Sequence, residues 1–474
     1  MSALAPSGGS DSPAAAGTAP SPASKRGPAW VRTEDSWAIL VGVGLVLAAL
    51  LAVWGGTSLQ WLAVAPRRWS TPGDAWRQLG AGAPRYLALY ATWLACLSPG
   101  ARALGLPLTR FAPSFTLVFV LSLFVVVVGA WSEADRFNLE APLVALALGL
   151  LLSNAFALPR WLDAGFRVEY YVKTGIVLLG ATLPLTLIFT AGPVAIVQAA
   201  IVSLATFGVI YALAVRLGLE RRLAATLGAG GAVCGVSAAI AVAGAVGAKK
   251  EHGPIAITIV VFWAIVMIFA LPLLARGLSL PTGVAGAWIG TSEFADAAGF
   301  AAAQSYGGYA GQVEGIRGSA DDAVNAFTLM KVLGRDLWIG IWAFVLSIVA
   351  ASRWEGNGIE GRAGIGEVWR RLPKFVFGFL ATSMLIAVLA AGYGSAGYEH
   401  LLKPDLVGPV KTLRTWAFTF CFLSIGLTTR WRDLARAGTR PFLAFSAGVA
   451  VNLVLGFVLS AYVFGAHWAA LDAR

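Results

Sequence analysis

The sequence predicts an all-α, polytopic membrane protein, and three observations lead to that fold class. Hydrophobic residues make up 58% of the 474 residues, and the mean hydropathy is +0.75. Charged residues make up 12%, about half the fraction usual in soluble domains. The apolar residues also form long runs, and about 20 residues cross the hydrocarbon core as a helix that satisfies its own backbone hydrogen bonds.

The elements can be taken in chain order. Residues 1–35 begin with a Ser-, Pro-, Ala- and Gly-rich stretch, which predicts a disordered cytoplasmic N-terminus. Residues 36–111 are interpreted as an N-terminal membrane extension and residues 112–465 as the core of the protein, interrupted by a cytoplasmic loop at residues 352–374. The apolar runs predict about 11 to 13 membrane elements: Trp37–Trp54, the short stretch Tyr86–Leu97, Phe115–Trp131, Ala141–Leu158, Tyr171–Thr190, Pro193–Val215, Ala224–Val246, Pro254–Leu274, Thr282–Gln304, Leu337–Ala351, Phe375–Ala391, Trp416–Leu427 and Phe442–Phe464.

The basic residues between these runs predict the orientation of the chain. Cytoplasmic loops are enriched in Lys and Arg, and four loops have that character: those with Arg160 and Arg167, with Arg216, Arg221 and Arg222, with Arg353, Arg362, Arg370, Arg371 and Lys374, and with Arg430, Arg432, Arg436 and Arg440. We therefore expect a multi-pass protein of the inner (plasma) membrane with a cytoplasmic N-terminus. Because the formal charge of +11 lies in these loops, it does not indicate a nucleic-acid partner.

Lys249 and Lys250 conflict with this orientation if Ala224–Val246 crosses the membrane. A re-entrant hairpin there would return both lysines to the cytoplasmic side, and a second hairpin at Thr282–Gln304 would restore the parity of the later segments. The sequence leaves crossing and re-entry open for both segments.

An internal repeat is also predicted. Gly180-Ala181-Thr182 recurs as Gly426-Leu427-Thr428, and Ala191-Gly192 recurs as Ala437-Gly438. The loop charges make the segments before Gly180 and Gly426 run in opposite directions. Such an inverted repeat, with discontinuous or re-entrant helices, is typical of secondary transporters.

A glycine-rich stretch, residues 228–239, is the first candidate site segment. It favours either tight helix packing, since Gly231 and Gly235 have a GxxxG spacing, or a broken helix whose free N–H groups face a cavity. A helix N-terminus suits an oxyanion. On the second reading the substrate-binding candidates are Gly230, Gly231, Cys234, Gly235 and Ser237.

Two later polar segments complete the candidate site. Thr291 and Ser292 are substrate-binding candidates, and Glu293 and Asp296 follow as coupling or gating candidates, because a charge at mid-membrane costs about 2.5–3.5 kcal/mol and is usually functional. The alternative is that the carboxylates of Glu293 and Asp296 lie at the membrane–water interface, where they are merely solvated. Lys331 and Arg335 share a helix face and could balance an anion or snorkel to the interface, and Asn325 is a third coupling candidate.

No catalytic, metal or cofactor site is predicted. Cys96, Cys234 and Cys421 form no CxxC pair, and the three histidines have no ligand spacing. We find no HExxH or GxSxG motif and no nucleophile–base pair, so we expect no enzymatic activity.

The candidate segments, in this order, resemble the YeiH-like family of bacterial membrane proteins, which are proposed sulfate exporters. The resemblance rests on residues 175–180, the glycine-rich stretch 228–239, the segment beginning Gly290-Thr291-Ser292, the Lys331 region and residues 426–429. It implies an inverted-repeat carrier of a small inorganic or organic anion such as sulfate or a sulfonate.

The expected function is therefore secondary transport of a small anion. The alternative is a Na⁺- or H⁺-coupled carrier of another small solute, with Glu293 and Asp296 binding the cation. The expected partners are the solute, the lipid bilayer and, for the alternative, Na⁺ or H⁺. A homodimer is an oligomeric state that the sequence leaves open.

Overall fold

The computed structural model describes residues 33–134, 141–182, 185–354, 374–430 and 438–471. Most of the predicted loop 352–374, and Arg432 and Arg436 of the last basic loop, therefore lie outside the described residues. Within these ranges the chain is helical, and its only extended pairing is an isolated bridge between Trp69 and Trp131. The predicted all-α membrane fold is confirmed.

Seventeen α-helices lie in the described ranges, and we number them in chain order. Among the residues that the structure describes, seven stretches of helix are long and apolar enough to cross a membrane by length and composition. The helices are α1 Glu34–Trp54, α2 Pro72–Ala103, α3 Leu108–Gly129, α4 Ala141–Ala155, α5 Val168–Gly180, α6 Leu185–Arg216, α7 Arg221–Ala232, α8 Val236–Ala245, α9 His252–Gly277, α10 Thr282–Ser292, α11 Asp296–Gly307, α12 Ala320–Thr328, α13 Trp338–Val349, α14 Phe375–Gly397, α15 Gly408–Thr428, α16 Thr439–Phe457 and α17 Gly465–Ala469.

The prediction of a single element at Tyr171–Thr190 is wrong. Helix α5 ends at Gly180, and Thr190 belongs to the 32-residue helix α6, which also contains the predicted run Pro193–Val215. The sequence places Pro184 between these helices, and the residue before a proline disfavours the helical conformation. The short stretch Tyr86–Leu97 lies inside the 32-residue helix α2.

Several helix ends and several basic residues meet at one end of the described bundle. Contacts tie the ends of distant helices together: Arg167 pairs with Glu34, Asp35 accepts from the Lys374 backbone N–H, and Ser153 donates to the Thr429 carbonyl. We call this end of the bundle, which also includes Arg216 and Arg440 beside Gly218, the basic end.

Helices α7 and α8 fold back on each other as hairpin 1. Arg222, near the start of α7, donates to the carbonyl of Gly247 just after α8, with 2.7 Å between Nη1 and the oxygen. Glu220 and Lys249 form an ion pair beside it, and the Lys249 hydrogen bond lowers the pKa of the exposed Glu220 carboxyl. Both feet of hairpin 1 therefore lie at the basic end.

Helices α10 and α11 form hairpin 2 at the other end of the molecule. The Tyr306 hydroxyl near the end of α11 donates to the Leu280 carbonyl before α10 at 2.5 Å, and the Thr282 N–H donates to the Arg317 carbonyl at 2.9 Å. Helix α9, with 26 residues and so about 39 Å long, separates the feet of the two hairpins. The two hairpins enter the helix bundle from opposite ends.

The predicted inverted repeat stays a prediction. Helix α5 starts at the basic end and α15 finishes there, so the helices that contain Gly180 and Gly426 pack with opposite directions. The second pair differs in conformation, because Gly192 lies inside α6 whereas Gly438 precedes α16 with φ +85°. Ala437 lies outside the described residues.

Candidate functional site

The tips of the two hairpins meet in the middle of the bundle. Each tip is a three-residue break, Val233-Cys234-Gly235 in hairpin 1 and Glu293-Phe294-Ala295 in hairpin 2. Gly235 has φ +71°, and a Cβ atom added there would lie 2.8 Å from the Phe294 carbonyl oxygen. The glycine is required both by its conformation and by this close approach.

Lys331 ties the two tips together. It lies in a π-helical turn, Leu329–Arg335, that joins α12 to α13, and its side chain is fully buried. Its Nζ donates to the carbonyls of Val233, Glu293 and Phe294 at 3.1, 2.9 and 3.2 Å. The prediction that Lys331 and Arg335 share a helix face assumed α-helical spacing, whereas both residues lie in this π-helical turn.

Arg335 makes a second set of bonds to the same tips. Its Nη1 donates to the carbonyls of Thr291 and Glu293 at 2.6 and 2.8 Å, and its Nη2 donates to the Gly231 carbonyl at 3.1 Å. These carbonyls lie at the C-terminal ends of α7 and α10, where a cation is favoured by the helix dipole. Both cations thus satisfy oxygens that a broken helix leaves free.

Three carboxyl groups accompany the two cations. Glu293 Oε1 accepts from the N–H groups of Phe294 and Ala295, while its Oε2 is buried and has no hydrogen-bond partner among the described residues. Asp296 Oδ1 lies 3.6 Å from Lys331 Nζ at the start of α11. Both carboxylate oxygens of Asp336 are buried, and no group in the described part of the chain donates a hydrogen bond to them.

Two cavities adjoin the hairpin tips. One has a volume of ≈ 370 Å³ and the other ≈ 390 Å³, and both are lined by Glu169, Cys234, Val236 and Asp296. The first extends to Arg430 and the second to Asp35 and Lys374, which are residues of the basic end. The tips are therefore reached from the basic end.

The N-termini of α8 and α11 line these cavities. Val236 and Ser237 lie at the start of α8, and Asp296 to Ala298 at the start of α11. Unpaired N–H groups at a helix N-terminus favour an anion. Of these two N-termini, that of α11 already has the negative charge of the Asp296 carboxylate, whereas the first turn of α8 has no acidic residue.

The sequence-derived candidates fall into three groups. Cys234, Ser237 and Asp296 line the cavities. Gly231, Gly235, Glu293, Lys331 and Arg335 lie at or beside the contact between the tips, and Gly230 packs near the Gly235 carbonyl. Thr291, Ser292 and Asn325 lie outside the linings of these two cavities.

The side chains of Thr291 and Ser292 face neighbouring helices. The Thr291 hydroxyl accepts a 2.8 Å bond from Gln198 of α6 and donates to the Ala287 carbonyl. Ser292 Oγ lies 3.5 Å from the Asn452 carbonyl oxygen of α16. Only the main chain of Thr291 takes part in the cluster, through the Arg335 bond.

The cavity wall contains polar residues that were not among the candidates. Asp336 lines the second cavity with Lys173, and Glu169 lines both. Lys173 Nζ lies 2.7 Å from Asp35 Oδ1 and 3.1 Å from Glu169 Oε2. The signal in the sequence was an acidic residue next to Arg335 and a Glu-x-x-x-Lys spacing at the start of α5.

Comparison with known proteins identifies the family. A family profile described as "Conserved hypothetical protein 698" matches residues 113–445, which is more than half of the chain. The chain belongs to this family. Its relatives carry the name UPF0324 membrane protein, in agreement with the resemblance to the YeiH-like proteins.

Three UPF0324 relatives show the extent of the similarity. A protein of Rhodopirellula baltica is 32% identical over 75% of this chain and 63% of its own length. A protein of Nitratidesulfovibrio vulgaris is 32% identical over 77% of this chain and 61% of its own length. A protein of Nitrosomonas europaea is 28% identical over 92% of this chain and 95% of its own length. The chain thus spans about three-fifths of the first two relatives. No solved structure matches this UPF0324 protein.

Proposed function

We propose that this UPF0324 protein is a secondary transporter of a small inorganic or organic anion of the sulfate or sulfonate type. The observation that carries the proposal is the meeting of two opposed hairpin tips beside cavities that open at the basic end. In secondary transporters, solutes and coupling ions bind near the bilayer midplane at discontinuous helices. Irregular backbone is tolerated at that depth only where it is buried in protein or lines a wet cavity.

The proposal includes an orientation. The positive-inside rule assigns the basic end to the cytoplasm, and α1 starts there. The protein would then reside in the inner membrane with its N-terminus in the cytoplasm. The cavities would be open to the cytoplasm, from which an exported anion is loaded.

The charges of the cluster bear on coupling. Two cations, Lys331 and Arg335, accompany the carboxyl groups of Glu293, Asp296 and Asp336. With an excess of acidic groups, an incoming anion adds to local negative charge unless protons accompany it. Export of a dianion from an inside-negative cell gains about 4.6 kcal/mol per 100 mV, twice the value for one charge. Protons would therefore serve to neutralise the negative charge of the site more than to supply driving force for export.

Purified protein in proteoliposomes tests the proposal. Labelled sulfate, sulfite, taurine and related sulfonates are loaded and their efflux is measured against an imposed membrane potential. We expect one or more of these anions to move faster than in protein-free liposomes. If none does so under any potential or pH gradient, the anion proposal is wrong.

The second candidate is a Na⁺- or H⁺-coupled carrier of another small solute. The buried Glu293 Oε2 atom and the two Asp336 oxygens favour it. They have no hydrogen-bond partner within the described ranges, and such oxygens can bind a cation. Charge movement measured with and without a Na⁺ gradient, and separately with a pH gradient, distinguishes the two. Solute-dependent current that requires a cation gradient, with none of the anions transported, would favour this candidate.

A further inference from the structure

Lys331 ends in a shell of main-chain oxygens that comes from both hairpin tips. Its Nζ has three N–H donors, and three carbonyls accept from it, those of Val233, Glu293 and Phe294 at 3.1, 2.9 and 3.2 Å. Asp296 Oδ1, at 3.6 Å, contributes negative charge beyond hydrogen-bond distance. The ammonium group is therefore fully coordinated without using a side-chain acceptor.

This shell has the composition of a monovalent-cation site. Unwound carbonyls and the C-terminal ends of half-helices are the groups that coordinate Na⁺ in secondary transporters. Val233 follows the last residue of α7 and Glu293 follows the last residue of α10, so two negative helix ends converge on one point. A carboxylate close to such carbonyls adds to the attraction for a cation.

We propose that the Lys331 ammonium group permanently occupies a monovalent-cation site formed by the two hairpin tips, so that the protein needs no Na⁺ there. Lysine suits this role because its ammonium is a compact point charge on a flexible stem. Arg335 uses a planar fork to hold the neighbouring carbonyls of Gly231 and Thr291. The statement about transport rests on the proposed function, whereas the statement about cation binding does not.

A purely structural role for Lys331 makes a different prediction. If the lysine only bridges the tips, its removal weakens the fold and no dissolved ion restores it. If it fills a cation site, Lys331→Ala leaves a carbonyl-lined space that Na⁺, K⁺ or NH₄⁺ can enter. Lys331→Met removes the charge but keeps the space filled, so dissolved cations should not restore the stability of this variant.

The test is thermal unfolding of the full chain in detergent. Wild type, Lys331→Ala, Lys331→Met and the control Lys411→Ala are compared in NaCl, KCl, NH₄Cl and choline chloride at equal ionic strength. Lys411 pairs with Asp321 on the surface, far along the chain from the tips, and its side chain is 47% exposed. We expect one small cation to raise the Tm of Lys331→Ala by about 3 °C or more over choline, and no such rise in the other three proteins.

Two results would overturn the proposal. One is a folded Lys331→Ala protein that responds to the cations no more than Lys411→Ala does. The other is a wild-type protein that Na⁺ stabilises over choline by a similar amount. Should Lys331→Ala fail to fold, the wild-type comparison decides alone. If anion transport is found, replacing Na⁺ by choline should leave the wild-type rate unchanged, and a loss of rate contradicts the proposal while leaving the transport function intact.

Discussion

Lys331 and Gly235 both lie against the carbonyl of Phe294. Lys331 Nζ is 3.2 Å from that oxygen, and a Cβ atom at position 235 would be 2.8 Å from it. The absence of a side chain at one residue and the length of the side chain at the other thus allow the two tips to touch. At the residue scale the contact depends on an oxygen that no sequence pattern identifies, because the carbonyl belongs to the main chain.

Gly235→Ala is expected to destabilise the protein. An L-residue in this sparsely populated backbone conformation, with φ +71° and ψ −105°, costs about 1–3 kcal/mol, and the clash with the Phe294 carbonyl and with Val260 adds to it. Gly44→Ala, on α1, is the matched control because nothing lies within 4 Å of its added Cβ atom. Thermal unfolding in detergent should show a clear drop for the first variant and an unchanged or higher Tm for the second. Equal melting temperatures would show that the tips do not approach as described.

At the element scale, the arms of the hairpins are half-length helices. They have 12, 10, 11 and 12 residues, so each is about 15–18 Å long at 1.5 Å per residue. The hydrocarbon core is about 30 Å thick. Two hairpins that enter from opposite sides therefore meet near the midplane, whereas one arm alone is too short to cross.

Cysteine labelling distinguishes hairpins from crossing segments. In a background without Cys96, Cys234 and Cys421, single cysteines replace Arg216, Lys249 and Gly311. If α7–α8 is a hairpin, a membrane-impermeant thiol reagent labels positions 216 and 249 from the same face. Position 311, after α11, should react from the opposite face together with a cysteine at Ser279. Labelling of 216 and 249 from opposite faces would contradict hairpin 1.

At the scale of the whole molecule, α1 is joined to the core at the wall of a cavity. Lys173 of α5 pairs with Asp35 of α1, and Asp35 also accepts from the Lys374 backbone N–H before α14. One acidic residue thus links the first helix to two later ones that are more than 130 residues away along the chain. The helix from the predicted N-terminal extension takes part in the cavity wall.

Asp35→Asn should lower stability through this link. The side chains of Asp35 and Lys173 are only 19% and 13% exposed, so the loss of one charge leaves the other poorly solvated. We expect the free energy of unfolding to fall by about 1–3 kcal/mol. The remaining pair between Glu169 and Lys173 limits the loss. Glu399→Gln removes an exposed pair with Lys403 and should change the Tm little. A smaller effect from Asp35→Asn than from Glu399→Gln would contradict this account.

The sequence by itself determined the membrane class and the helical fold, and it marked two segments as candidate broken helices while leaving crossing and re-entry open. Long apolar runs have one low-energy arrangement in lipid, and the dense glycines at residues 228–235 and the charges at Glu293 and Asp296 mark positions that lipid does not tolerate. Lys249 and Lys250 also indicated the first hairpin, because their charge conflicted with a crossing segment. These inferences depend on the free energy of transferring a segment from water to lipid, and that free energy is set by the local sequence.

Only the tertiary structure decided which groups share the site. Lys331 and Arg335 reach carbonyls on hairpin 1 about 100 residues away, through a π-helical turn whose side-chain directions differ from those of an α-helix. Thr291 and Ser292 face α6 and α16, and Asp336 joins the cavity wall. The physical reason is that hydrogen bonds to main-chain oxygens depend on how distant helices pack, and packing is settled by the whole chain at once.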